Sequence, residues 1–271
     1  MNKTVKLINK LLFPPVCAGC GEKLSPVGHS QAYGKACFCN GCFEKWLMAK
    51  AELCPKCAGT ADKCTCLPRF FKELQPNLPA LCYYHSEDTS VSDRVILTMK
   101  RVNDSELFEF IGLELIPRLI CTLDEMGIAG EDCVFTWVPR KTASIAQSGL
   151  DQGQKLCFQV AAGFGKQPDR LFVRMGGKEQ KHLNPEEREK NAKQAIALNL
   201  TLKDIPTRRG VGELKELIDG KSIVIVDDVI TTGATLKNAV TLLKSAGAEN
   251  VIVCCVARTA PSRRKKTEKN R

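Results

Sequence analysis

The sequence predicts an α/β fold, with a mainly parallel sheet flanked by helices and a small cysteine-rich segment in front of it. From residue 80 onwards, short apolar runs rich in β-branched residues alternate with helical patterns, which is typical of a parallel sheet covered on both sides. One of these runs leads directly into a turn of Thr and Gly residues and then into a helical pattern. Nine of the 15 cysteines lie before residue 67, in pairs two or three positions apart. We therefore expect an α/β domain and a segment that depends on metal.

The strongest motif is the run IVIVDDVITTGATL at 223–236. Its first four residues predict a strand buried on both faces, and Asp227 and Asp228 follow directly. The turn after them contains Thr231, Thr232, Gly233, Ala234 and Thr235, and a helical pattern starts at Leu236. A strand that feeds a helix in this way is where α/β sheets bind ligands. Free backbone N–H groups at a helix N-terminus suit a phosphate, and two carboxylates suit ribose hydroxyls, directly or through Mg²⁺.

The remaining elements can be placed in order along the chain. Strands are predicted at 80–85, 133–139 and 171–175, and the strands at 195–200, 223–226 and 251–258 are expected to complete the same sheet. Helices are predicted after an N-cap at Ser90 or Ser92, from Asp104 to about Met126, and over 150–164. Pro117 is expected to kink or split the second of these helices.

The cysteine pairs at the N-terminal end predict tetrahedral zinc sites, because two such turns supply the four thiolates that one Zn²⁺ requires. The preferred assignment places Cys17, Cys20, Cys39 and Cys42 in one site and Cys54, Cys57, Cys64 and Cys66 in the other. Cys37 competes with Cys39 for the first site, and the spacing also allows an interleaved pairing. The segment has too few apolar residues to fold on its own core, so metal is expected to supply most of its stability. The other six cysteines are expected to be reduced, buried thiols in a cytoplasmic protein.

Composition and charge indicate a protein without membrane insertion and with a basic C-terminal end. No run of 18 uncharged apolar residues occurs, and residues 1–14 predict a short amphipathic helix. Six Lys or Arg and one Glu lie in 261–271, so this tail supplies half of the net charge of +10. A disordered tail of this kind is either a solvated end or a weak attraction for nucleic acid.

The order of these parts resembles the ComF family of phosphoribosyltransferase-like proteins, which includes the GntX type. The resemblance covers the chain from Cys17 to Arg258. It implies a double zinc ribbon (1–66, with the N-terminal helix), a linker (67–79), a type I phosphoribosyltransferase-like domain (80–260) and the basic tail (261–271). It also implies phosphoribosyl pyrophosphate (PRPP) with Mg²⁺ as ligand. Several members of the family act in natural competence, where they help to transport or process single-stranded DNA.

Several further residues take a role from this resemblance. Lys100 and Arg101 match a basic helix motif, and Pro139, Arg140 and Lys141 match the loop that holds the pyrophosphate. The family's Arg-Gly-Phe-Asn-Gln motif is reduced to Gly149 and Gln152, since Ser148, Leu150 and Asp151 replace the other residues. The flexible loop is expected to contain Arg174, Gln180, Lys181, Arg188 and Asn191.

Three functions follow from the resemblance. The first is a phosphoribosyltransferase with an unidentified acceptor, in which Asp227, Asp228 and Arg188 are catalytic. The second is a non-catalytic DNA-uptake factor that binds single-stranded DNA and proteins of the competence machinery. The third is a PRPP-sensing regulator. Few aromatic residues are available to stack on bases, which weighs against the second function, whereas the positive net charge favours it.

Overall fold

A four-stranded parallel sheet forms the centre of the computed structural model, which describes residues 14–24, 37–66, 78–86, 90–175, 196–199 and 214–261. The described strands are β1 (Ala80–Tyr84), β2 (Val134–Trp137), β3 (Phe172–Arg174), β4 (Ile196–Leu198), β5 (Ser222–Ile230) and β6 (Asn250–Thr259). The described α-helices are α1 (Asn40–Lys50), α2 (Val91–Arg101), α3 (Ser105–Glu125), α4 (Thr142–Ser148), α5 (Gln152–Ala162), α6 (Leu214–Ile218) and α7 (Ala234–Ser245). The predicted N-terminal helix over 1–14 lies, except for its last residue, outside the described residues, as do most of the predicted linker and the tail beyond residue 261.

The order of the strands in the main sheet is β1-β6-β5-β2, and every neighbouring pair is parallel. β5 lies near the centre, with Val226 beside Cys254 of β6 and Trp137 of β2. Because the strands are parallel, their carboxyl ends lie at one edge of the sheet, and the turns that follow them are neighbours. The predicted parallel sheet flanked by helices is therefore confirmed.

The strands β3 and β4 correct one part of the sequence prediction. They were expected to join the main sheet, but they pair with each other, antiparallel, in a separate two-stranded sheet. Each has only three residues, and Asn199 extends their pairing by donating its backbone N–H to Leu171 O at 2.8 Å. The apolar pattern predicted strands correctly, but such short runs carry no information about their partners.

Three of the described helices begin at a short polar side chain that caps them. Ser90 caps α2 by accepting the Asp93 N–H at 3.1 Å, which settles the choice between Ser90 and Ser92. Asp104 and Asp151 cap α3 and α5 in the same way. Pro117 lies inside α3 but does not split it, and the whole helix is 21 residues long. Pro117 is exposed, so water can hydrate the carbonyl that loses its intrahelical partner.

The apolar core lies on both faces of the main sheet, as the alternation of β5 shows. Val224 and Val226 pack on one face, together with α2, α3 and α5, and the described N-terminal residues Phe38 and Trp46 belong to the same cluster. Ile223 and Ile225 pack on the opposite face with residues of α7. The cysteine-rich segment is therefore attached to the core of the sheet and does not stand apart from it.

The strand β5 is longer than the sequence indicated. It continues through Asp227 and Asp228 to Ile230, and α7 begins at Ala234 rather than Leu236. The sequence patterns predicted none of the helices α1, α4 and α6. Five of the six remaining cysteines are buried as expected, but Cys121 is exposed on α3. Among the described helices, none combines the length and the apolar character needed to cross a bilayer.

Candidate functional site

The two consecutive carboxylates of β5 lie at the carboxyl end of the main sheet, and the first of them, Asp227, lines an open crevice. The crevice is lined by Asp227, Val229, Ile230, Thr231, Thr232, Gly233, Ala234, Thr235 and Leu236. The predicted turn therefore lines the crevice, at the strand end where α/β sheets bind ligands. Thr231 and Thr232 are exposed, so their hydroxyls are accessible to a ligand.

The turn is shaped by Gly233, whose φ of 77° lies in the left-handed region. This conformation suits glycine, and it allows the chain to turn from β5 into α7 within three residues. The hydroxyl of Thr232 accepts the Ala234 N–H at 3.5 Å. The first N–H groups of a helix have no partner within the helix, and the helix dipole is positive at this end. The turn can therefore bind an anion such as a phosphate.

The two carboxylates differ in their surroundings. Asp228 is 6% exposed, and its Oδ2 accepts from Gln152 Nε2 at 3.0 Å and lies 3.5 Å from Lys100 Nζ. Asp227 is half-buried and accepts the Asp228 N–H at 2.8 Å. Burial raises the pKa of the Asp227 carboxyl well above its usual value, and the charge of Asp228 acts in the same direction.

The predicted pyrophosphate loop follows β2, at the same edge of the sheet. Lys141 is exposed at the N-cap of α4. Arg140 is turned towards the protein, since its guanidinium donates to Ser148 Oγ at 3.2 Å and to Leu150 O at 3.3 Å. The Arg140 N–H donates to Asp151 Oδ2 at 3.3 Å. Of these two residues, Lys141 is the one whose side chain is exposed to solvent, and the role of Arg140 at a diphosphate stays a prediction.

The predicted flexible loop lies outside the described residues except at its start. Arg174, at the end of β3, donates to Pro139 O at 3.5 Å, and so connects this strand to the predicted pyrophosphate loop. Burial lowers the pKa of the Arg174 guanidinium, and the nearby carboxylate of Asp227 opposes that change. Gln180, Lys181, Arg188 and Asn191 are not described, so their roles stay predictions.

Two clusters of four cysteines form the candidate metal centres. The first contains Cys17, Cys20, Cys39 and Cys42, and the second contains Cys54, Cys57, Cys64 and Cys66; within each, the four Sγ atoms lie within 4.8 Å of one another. These are the two sets that the sequence favoured. Cys37 is buried but belongs to neither cluster, and the pairing is not interleaved.

The geometry of both clusters fits a tetrahedral Zn²⁺. With Zn–S bonds of about 2.3 Å, neighbouring sulfurs of a tetrahedron are about 3.8 Å apart. The Sγ atom of Cys39 lies 3.7 Å from that of Cys17 and 3.8 Å from that of Cys20, and the Sγ atoms of Cys57 and Cys64 are 3.6 Å apart. Hydrogen bonding to the backbone of Gly59 lowers the pKa of Cys57 to about 5, whereas burial raises the pKa of Cys64 and of Cys66. Cys57 is therefore the thiol of this cluster that most readily supplies a thiolate to an incoming metal.

Each cluster is bound to the α/β domain by hydrogen bonds. At the first, Arg94 and Thr98 of α2 donate to the carbonyls of Gly19 and Ala18, at 3.3 and 3.2 Å. At the second, Tyr83 Oη donates to Gly59 O at 2.8 Å. Lys50 also pairs with Glu114, and Arg118 with Asp62, so both clusters are fixed to α3 as well.

Arg258 of β6 makes the most extensive attachment of the second cluster. Its side chain is 1% exposed and donates to three backbone carbonyls, Ala61 O at 3.2 Å, Cys64 O at 2.9 Å and Cys66 O at 3.0 Å. No pattern in the sequence predicted this role, because Arg258 simply ends an apolar run. Lys100 and Gln152 could be found only through the family motifs that they match.

Comparison with known proteins supports this description. Residues 177–271, about a third of the chain, match the phosphoribosyl transferase domain family. The chain is 26% identical over 176 residues to the DNA utilization protein YhgH of Salmonella typhi, a match that covers 64% of this chain and 70% of that protein.

Two shorter or weaker similarities accompany these matches. A stretch of 39 residues, 14% of the chain, is 54% identical to a ribose-phosphate pyrophosphokinase of Methanobrevibacter smithii, and it spans only 13% of that enzyme's length. The purine phosphoribosyltransferase of Pyrococcus horikoshii superposes with a TM-score of 0.30 at 17% identity, over 56% of this chain and 79% of that one. A superposition this loose carries no argument about function.

Together, the domain match, the similarity to YhgH and the two cysteine clusters confirm the resemblance to the ComF family. The fold is type I phosphoribosyltransferase-like, with helices on both faces of a parallel sheet. The described N-terminal residues carry two four-cysteine clusters compatible with a zinc ribbon.

Proposed function

We propose that this protein binds PRPP with Mg²⁺ in the crevice at the end of β5. The observation that carries the proposal is the common wall of the crevice, in which Asp227 and the turn 231–235 lie side by side at the N-terminus of α7. A phosphate on the turn would place the attached ribose towards the carboxylate. The match of residues 177–271 to the phosphoribosyl transferase domain family supports the same ligand.

Each part of the ligand has a candidate partner. Backbone N–H groups and hydroxyls of 231–235 bind the 5′-phosphate, and Asp227 meets the ribose. The exposed Lys141 supplies a cation for the diphosphate. Mg²⁺, when bound with PRPP, would neutralise part of the negative charge of the diphosphate.

Transfer of the phosphoribosyl group is the reaction that this arrangement suits. The bond between the ribose and the diphosphate breaks, the diphosphate leaves with the electron pair, and an acceptor forms the new bond. A carboxylate near the ribose stabilises the positive charge that develops there. We also propose that the segment 174–191 closes over the ligand and excludes water, and that it brings Arg188 or Lys181 to the leaving group.

The cysteine clusters are proposed to hold one structural zinc ion each. All eight ligands are cysteines, and a closed set of four thiolates leaves no open position for a substrate. The hydrogen bonds that attach both clusters to the α/β domain support a structural role. We further propose that the protein is cytoplasmic, where thiols stay reduced.

A second function, in the handling of single-stranded DNA, is favoured by one observation. The relative that aligns with 64% of this chain is named a DNA utilization protein. The net charge of +10 agrees with binding to a polyanion. In this alternative the chain is a non-catalytic DNA-uptake factor or a PRPP-sensing regulator, and its partners are single-stranded DNA and proteins of the competence machinery.

Isothermal titration with PRPP and Mg²⁺ tests the first proposal. The wild type is expected to bind, and the double variant Asp227→Ala, Asp228→Ala is expected to lose binding. Asp124→Ala, on the exposed side of α3, is the matched control and should bind as the wild type does. Equal affinity in the double variant and the wild type would rule out this crevice as the PRPP site.

Two further measurements separate the remaining functions. Release of pyrophosphate on addition of candidate acceptors distinguishes a transferase from the two non-catalytic alternatives. Binding to single-stranded DNA that weakens steeply with salt distinguishes a DNA-uptake factor from a PRPP sensor, because neutralised phosphates release counterions.

A further inference from the structure

The carboxylate of Asp228 is already occupied by groups of the protein. Its Oδ1 accepts the Val229 N–H at 2.8 Å. Its Oδ2 accepts from Gln152 Nε2 at 3.0 Å and lies 3.5 Å from Lys100 Nζ. The side chain is nearly completely buried, and it is not part of the wall of the crevice. Little of this carboxylate is left for a ligand.

Asp227 is placed in the opposite way. Consecutive residues of a strand point to opposite faces of the sheet. Asp227 shares its face with Ile223 and Ile225, against α7, and it lines the crevice. Asp228 shares its face with Val224 and Val226, against α5 and α2. The two carboxylates are therefore neighbours in sequence with different surroundings.

The two groups that hold Asp228 come from separate helices. Gln152 is the first residue of α5, directly after the N-cap Asp151, and is 5% exposed. Lys100 lies in the last turn of α2, with its ammonium 5.8 Å from the centre of the Tyr84 ring. Gln152 must point its NH₂ group at the carboxylate, since the reverse orientation would place two acceptors together.

We infer that Asp227 and Asp228 have separate tasks: Asp227 is the carboxylate that meets the ribose, while Lys100 and Gln152 are positioning residues that hold Asp228 inside the protein. Asp228 also accepts the Val229 N–H, and so helps to fix the end of β5 beside the crevice. The first half of this inference rests on the proposed function, whereas the second half does not.

Thermal unfolding without ligand tests the positioning half. Asp228→Asn and Lys100→Met are each expected to lower the melting temperature by about 2–4 °C or more. The melting temperature of the double variant should fall by clearly less than the sum of the two single decreases, because both changes break the same ion pair. Lys45→Met, on the exposed side of α1, is the control for loss of a lysine. Additive effects, or an unchanged melting temperature for Asp228→Asn, would overturn the assignment.

Titration with PRPP and Mg²⁺ tests the ribose half. Asp227→Asn is expected to weaken binding by about tenfold or more, without a lower melting temperature. Asp228→Asn and Gln152→Leu should weaken it by only about threefold, because they act through the position of β5. A loss for Asp228→Asn as large as that for Asp227→Asn, at an unchanged melting temperature, would make Asp228 a direct ligand and overturn the inference. If the wild type does not bind PRPP, the proposed function and the ribose half fail together, and the melting data still decide the positioning half.

Discussion

Asp227 and Asp228 are chemically identical neighbours on one strand, and their surroundings make them different groups. Asp228 has donors on both oxygens, whereas Asp227 lies beside the crevice with another carboxylate next to it. Burial, and then the charge of Asp228, raises the pKa of Asp227 well above its usual value. Without a ligand, ionised Asp227 therefore costs the folded state free energy, as is common at functional sites.

Asp227→Asn is therefore expected to stabilise the free protein near neutral pH. Because the pKa of Asp227 is higher in the folded state than in the unfolded chain, its contribution to stability is fully present below about pH 3.9 and is lost as the pH rises. The difference in stability between Asp227→Asn and the wild type should thus be close to zero near pH 3.5 and should grow towards pH 7. Melting temperatures of both proteins across this pH range measure this difference, with Asp124→Asn as control. A variant less stable than the wild type at pH 7 would show that Asp227 is stabilised by its surroundings.

Gly233→Ala tests the shape of the turn 231–235, which we name the phosphate turn after its proposed ligand. The φ of 77° makes alanine unfavourable by about 1–2 kcal/mol, so the variant should either lose this stability or change the turn. PRPP affinity should fall in both cases. Gly127→Ala is the matched control, since Gly127 has a φ of 67° and open space around it but lies at the end of α3, away from the crevice. It should lose similar stability and bind PRPP normally. Equal PRPP affinity in the two variants would contradict the role of the turn.

At the scale of elements, β6 connects the second cysteine cluster to the carboxyl end of the sheet. Arg258 donates to three carbonyls of the cluster's loop, and in the sheet its Cα lies opposite Ile230, the residue directly before the phosphate turn. Tyr83 of β1, which also lies opposite Arg258, donates to the same loop. One region of three neighbouring strands therefore supports both the candidate metal centre and the candidate ligand site.

Arg258→Met is expected to destabilise the protein by about 2–4 kcal/mol. The change removes a buried charge, but it leaves three carbonyls without their donor, and each unpaired buried group costs about 1–3 kcal/mol. Denaturant unfolding measures this loss, and metal analysis should show a weaker hold on one of two zinc ions. Arg101→Met, on the exposed end of α2, controls for loss of an arginine. Full stability together with two tightly held zinc ions would contradict the role of Arg258.

Some of the elements could be predicted from the sequence, and others could not. The parallel sheet, the turn residues 231–235, the two cysteine sets and the start of a helix near Asp104 were predictable, because apolar period and Cys-x-x-Cys spacing are local signals. N-cap chemistry narrowed the start of α2 to Ser90 or Ser92. The antiparallel pairing of β3 with β4 and the contacts of Arg258 were not predictable, because both depend on residues far away in the chain. Pro117 does not split α3, because at an exposed position water can hydrate the carbonyl that loses its partner.

At the scale of the whole molecule, the cysteine-rich segment and the α/β domain share one apolar core. Phe38 packs against Trp46 and Phe110, with ring centres 6.0 and 5.6 Å away, and so joins the N-terminal segment to α3. Cys17 and Cys42 belong to the same core cluster as Val224 of β5. A metal ion in the first cluster would therefore stabilise the sheet as well as its own loops.

Removal of metal is expected to destabilise the entire protein and not only its N-terminal segment. The purified chain should contain two zinc ions, and a strong chelator should lower the melting temperature in a single transition, since the shared core couples both parts. Zinc added back under reducing conditions should restore it. The decisive control is the metal content of each sample. A sample without zinc that melts at the original temperature would contradict a structural role for the clusters.

We propose that the turn after β5 binds the 5′-phosphate of PRPP while Asp227 meets its ribose. A crystal structure of the protein with PRPP and Mg²⁺ would show both contacts at once. We expect phosphate density within hydrogen-bond distance of the backbone N–H groups of 231–235, with the ribose hydroxyls towards Asp227. A PRPP molecule bound elsewhere, with this turn free of phosphate, would contradict it.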